Sequence, residues 1–130
     1  MARHTTKGRS KSGPPFVMLR YDIMDSDAWR SLNPAARCIL MQIMRRFNGQ
    51  NNGLLGASVK TLAGECHIKP NTVTAALKRL IAVGLIERTR EAAFSCKMRL
   101  AAEYRLTWLK CNKTGHGATN AFRQFKMPPD

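Results

Sequence analysis

The chain has 130 residues and a formal net charge of +14, from 22 Lys and Arg against 8 Asp and Glu. One domain fits that length, and 44% hydrophobic residues suffice for a packed core, which excludes wholesale disorder. No apolar run approaches the roughly 18 residues of a membrane-spanning helix.

The start, Met-Ala-Arg-His-Thr-Thr-Lys, has no apolar stretch. That predicts no secretory signal and a cytoplasmic protein. Four Cys in such a chain are expected as free thiols. Residues 1–15 carry Arg3, Lys7, Arg9 and Lys11, and no acid precedes Asp22. A Gly/Ser/Lys/Arg stretch ending in Pro14-Pro15 cannot bury enough apolar surface to offset its ordering entropy. It is expected as a disordered basic arm, able to attract polyanions such as nucleic acid.

The domain proper is expected over residues 16–110. Asp25 or Ser26 can cap one helical turn leading to Trp29, read as a core anchor, and Leu32. Asn33-Pro34 is a strong helix start, because Asn accepts from free N–H groups and Pro at the first position loses no bond. That helix runs to about Phe47, with Ala36, Ile39, Leu40, Ile43 and Phe47 on its inner stripe. Leu54 to Ala57 is short enough for a small strand. Ser58 caps a second helix through Cys66, with Val59, Leu62, Ala63 and Cys66 inward. Pro70 opens a third helix to Val83, and Gly84 suits its left-handed exit.

Leu85 to Arg90 reads as a strand, Glu91 to Cys96 as a turn, and Tyr104 to Leu109 as the returning strand. On that reading Arg88 and Arg90 share one strand face, and Lys97 and Arg99 share one face of the partner. Two strands directly after a third helix form a wing. The fold class is therefore α+β: a mainly helical, three-helix core with a small β-hairpin, a winged helix-turn-helix. Residues 111–130 form a partly ordered tail, in which Ala121, Phe122 and Phe125 share one side of a helical turn, an edge expected to fold back on the core or, as the alternative, to pack against a second subunit.

The helix-turn-helix is the most specific signal. From Leu62 to Leu80, apolar residues at 62, 63, 66, 68, 73, 77 and 80 lock two helices together and leave one face of the second free. Stepping about 100° per residue from Val73 puts Asn71, Ala75, Lys78 and Ala82 opposite the core, with Thr72 and Arg79 on one flank and Thr74 on the other. Asn can pair with adenine edges, Thr with bases or phosphate, and Ala75 with a thymine methyl. His67 stands at the turn and tolerates the left-handed conformation. Lys69 replaces the usual capping residue, losing about 1 kcal/mol of cap but adding a cation.

Leu62 to Thr89 resembles winged-helix regulators, with a Leu-Ala opening, Asn71-Thr-Val73 and Gly84-Leu-Ile86. More narrowly, residues 16–125 resemble small alphaproteobacterial winged-helix proteins of plasmids, phages and integrative elements, including rhizobial repressors of conjugal transfer. Ser26-Asp-Ala-Trp29, Arg46-Phe-Asn-Gly49, Asn51-Asn-Gly53, Ala93-Phe-Ser95, Ala102 to Trp108 and Ala118 to Phe122 carry that resemblance. It implies double-stranded DNA binding through Lys69, Asn71, Thr72, Thr74, Ala75, Lys78 and Arg79 of the third helix. Arg88, Arg90, Lys97 and Arg99 of the wing, with the arm, would add contacts.

Other classes find little support. Cys38, Cys66, Cys96 and Cys111, with His67 and His116, contain no C-x₂-C pair, so no metal is expected. No P-loop, G-x-S-x-G or paired His/carboxylate arrangement points to an enzyme or a cofactor. The sequence favours a transcriptional repressor that occludes promoters. The alternatives are a replication or recombination accessory protein, and a protein-interaction winged helix with an apolar patch on its wing or tail. Winged-helix proteins often act as symmetric dimers, but no long helix supplies a seam, and a homodimer stays open.

Overall fold

A computed structural model describes residues 13–95 and 98–129. Two single turns open the fold, α1 (Tyr21–Met24) and α2 (Asp27–Arg30). The Ser26 Oγ accepts from Trp29 N at 3.2 Å and caps α2. Three longer helices follow: α3 (Pro34–Arg45), α4 (Val59–Cys66) and α5 (Pro70–Ala82). Asn33 and Ser58 cap α3 and α4 as their side chains dictate. His67 turns left-handed, at φ 56° and ψ 46°, between α4 and α5. Lys69 makes no side-chain cap at the start of α5.

The strands are β1 (Leu55–Gly56), β2 (Ile86–Arg90), β3 (Ala93–Ser95), β4 (Met98–Leu100) and β5 (Glu103–Leu106). One antiparallel sheet has the order β1-β5-β2, and β3 and β4 pair separately. The segment expected as a plain turn from Glu91 therefore includes a strand. After a break at 91–92 the chain re-pairs, setting Phe94 opposite Arg99. The returning strand stops at Leu106 rather than Leu109. Thr107 ends it, its Oγ1 donating to Gly84 O at 2.7 Å while its own carbonyl accepts from Thr119 N and Asn120 N. The fold is α+β.

The core lies where α3, α4 and α5 pack on one another and on the sheet. Ile39, Leu40, Ile43, Leu62, Val73, Leu80, Ile86 and Tyr104 are its buried centre, each apolar side chain contributing about 1.5–3 kcal/mol. Trp29 is only half-buried and not a core anchor. The Arg37 guanidinium lies 5.1 Å above its ring, and its Nη2 donates to Trp29 O at 3.3 Å. Phe47 likewise sits at the core's margin. The tail folds back: Phe122, in a 3₁₀ turn (Ala121–Gln124), meets Trp108 edge-on at 6.3 Å. Among the described residues, no helix is long and apolar enough to cross a membrane.

Candidate nucleic-acid interface

Helix α5 buries Val73, Ala76, Leu77 and Leu80 and exposes the opposite side. Lys69, Asn71, Thr72, Thr74, Ala75, Lys78 and Arg79 are all exposed, as the helical spacing requires. The helix carries no acidic residue. Its outer face thus combines an amide, hydroxyls, a methyl and cations on a rigid element, a set suited to base edges and phosphates. Two of these groups are already engaged. Thr74 Oγ1 donates to Pro70 O at 3.2 Å, one turn back. The Arg79 guanidinium lies 5.3 Å over the Phe125 ring, so the tail flanks this edge of the helix.

On the other flank an open groove of about 1430 Å³ separates α4 and α5 from the hairpin. Val59, Leu77, Ile81 and Tyr104 are among its apolar lining residues, and Lys60, Lys78, Arg88 and Arg99 supply its cations. Lys60 escaped the sequence reading. The only hint was its place in the first turn after Ser58, where an outward residue of the partner helix can reach the same groove.

Arg88 and Arg90 do not share one strand face. Arg88 pairs in register with Tyr104 and Arg90 with Glu103, because an irregularity at Thr89 shifts the ladder by one residue. A one-residue bulge reverses the side-chain alternation. Arg88 therefore faces the groove, 5.6 Å over the Tyr104 ring and 3.2 Å from the Glu91 carboxylate. Burial works against its charge, yet the Tyr104 hydroxyl and Glu91 raise its pKa further. Arg90 turns away, donating to Ala101 O at 2.7 Å and pairing with Glu103 at 3.5 Å. Thr89 sits at the irregularity, its Oγ1 donating to Gly53 O at 2.6 Å. Arg99 is exposed. Lys97 and the arm residues Arg3, Lys7, Arg9 and Lys11 lie outside the described residues.

Residues 30–86 match the family model described as a helix-turn-helix domain. The match contains α4, the His67 turn and the whole of α5, the elements that build the exposed face above. It supports a helix-turn-helix DNA-binding protein. No curated protein matches the chain, and no solved structure does.

Cys38, Cys66 and Cys111 lie off this face, on α3, at the end of α4 and in the tail. Burial, together with the Cys38 thiol beside it, pushes the Cys66 thiol up to about 12. Among the described residues, no three of His, Cys, Asp and Glu converge as metal ligands would.

Proposed function

We propose that this protein is a sequence-specific double-stranded DNA-binding transcriptional regulator of the winged-helix type, a cytoplasmic repressor acting by promoter occlusion. The acid-free outer face of α5 carries the proposal, with Asn71, Thr72, Ala75 and Lys78 exposed together beside a cationic groove. In this reading α5 enters the major groove. The β2–β5 hairpin serves as the wing, its Arg88 and Arg99 meeting backbone phosphates and its Arg90 bracing the strands. The arm adds sequence-independent attraction. No catalytic chemistry is assigned to the chain. The resemblance to small regulators of plasmids and conjugal transfer favours a control region close to the protein's own gene.

The test is fluorescence anisotropy with a duplex from the protein's upstream region and a scrambled control, at about 50 and 200 mM salt. Six to ten phosphate contacts should cost roughly 10³–10⁵ in affinity across that range. Preference for the native duplex, with a footprint over a promoter, is expected. Repeated footprints at a replication origin would replace repression with an accessory role. A folded protein that binds neither duplex would sink the DNA reading.

A further inference from the structure

We infer that Phe125 is a positioning residue for DNA binding, its ring fixing the Arg79 guanidinium where it meets a backbone phosphate beside α5. The inference rests on the DNA reading above and adds the tail to it, a segment outside the matched residues 30–86. The Arg79 guanidinium lies 5.3 Å over the Phe125 ring.

Phe125 is held from both sides. Before it, Phe122 is buried edge-on against Trp108, and the Ala121 backbone sits against Gly84 at the exit of α5. After it, Met127 N donates to Asp27 Oδ2 at 3.1 Å. The ring itself is half-buried and packs on the core. It is a fixed platform, not a side chain that follows the arginine.

Arg79 keeps its charge and its donors. It remains exposed with the ring on one face. Among the described residues no carboxylate pairs with it, whereas Arg88, Arg90 and Arg105 each have one. A guanidinium stacked on an aromatic face leaves its in-plane N–H groups open, and these match a phosphate as a bidentate fork. The tail thus orients the group without neutralising it. A free arginine loses rotamer freedom when it binds, and one already stacked loses less.

The position of Arg79 points to a phosphate. It meets the tail on one flank of α5, while Lys60, Lys78, Arg88 and Arg99 line the groove on the other. A helix in a major groove has a phosphate wall on each side, and cations on both flanks suit those two walls.

The experiment is fluorescence anisotropy of the full chain with a labelled scrambled duplex, at about 50 and 200 mM salt, because a phosphate contact is sequence-independent. Phe125→Leu removes the ring but keeps apolar bulk, and should weaken binding about three- to tenfold. Phe125→Tyr keeps the ring and should restore binding. Arg79→Lys leaves the tail untouched and should lose a similar factor, since an ammonium lacks the planar fork. In an Arg79→Ala background, Phe125→Leu should have no further effect. A loss of the same size in that background would overturn the inference, because the tail would then act through the fold and not through Arg79. Tighter binding by Phe125→Leu would overturn it too, the ring then masking Arg79. A wild type that binds no duplex would sink the DNA reading and this inference together. A wild type that binds in a salt-sensitive way, matched by Phe125→Leu, would sink this inference alone.

Discussion

Asn52 pairs with Leu106 as a neighbouring strand would. Its Oδ1 accepts from Leu106 N at 2.7 Å and its Nδ2 donates to Leu106 O at 3.0 Å. The same Nδ2 lies 3.3 Å from Leu109 O and 2.9 Å from Lys110 O, so one buried amide holds the end of β5 and the start of the tail. Asn52→Leu should cost about 3 kcal/mol, since it strands buried backbone groups without partners. Neighbouring Asn51, whose amide reaches only Arg46 O and Asn48 N near the surface, should cost about 1 kcal/mol as Ala. Urea unfolding of both variants checks the order. Equal losses would mean that water replaces the Asn52 contacts.

Gly84 ends α5 at φ +84°, and a Cβ there would lie 2.8 Å from the Ala121 carbonyl. The tail therefore approaches the helix exit at backbone contact distance, which no rotamer change can relieve. Gly84→Ala should destabilise by more than about 1 kcal/mol and push the 3₁₀ turn off Trp108. In a Trp29→Phe background, fluorescence should shift to the red as Trp108 gains water. An unshifted spectrum would show that the turn adjusts while Phe122 stays in place.

Residues 33, 34, 58 and 70 name the helix starts in the sequence because capping is local chemistry, read within three positions. The outer face of α5 was equally legible, because one buried stripe fixes its opposite. What escaped was set by contacts far along the chain. The strand ladder shifts at Thr89, which reaches Gly53 across 36 positions, so alternation from Ile86 misplaced Arg90. Phe125 covers Arg79 from the tail. The role of Asn52 has no local sign in the sequence, because its partners lie 54 to 58 positions away.

That misplacement separates roles among the cations. Asn71→Ala should lose about 1–3 kcal/mol of discrimination at one base pair while leaving affinity for random DNA nearly unchanged. Arg99→Ala should weaken all duplexes alike and shallow the salt slope by about one. Arg90→Ala should leave that slope intact and instead destabilise the hairpin, because its guanidinium is spent on Ala101 and Glu103. Anisotropy titrations over a salt series, beside thermal melts, read all three. A slope lowered by Arg90→Ala would return that residue to the phosphate-facing side.

Cys66 gives the fold an alkaline weakness. Its thiol is raised from an ordinary 9.0 to about 12 in the folded chain, first by burial and then by Cys38. Below pH 9 both folded and unfolded chains hold the proton, and the contribution to stability is whole. As pH rises from 9 towards 12 the unfolded thiol ionises while the folded one does not. The unfolded state then binds fewer protons, and stability falls, by at most about 1.4 kcal/mol per pH unit for one group. Lys and Tyr titrate in the same range, so the informative quantity is the difference between wild type and Cys66→Ala. That difference should shrink steadily above pH 9 in urea unfolding, since the variant lacks the titrating group. Folded Cys66 should also resist iodoacetamide at pH 8.5 and react once urea exposes it. Parallel stability curves for the two proteins, with rapid labelling of the folded chain, would show a thiol open to water.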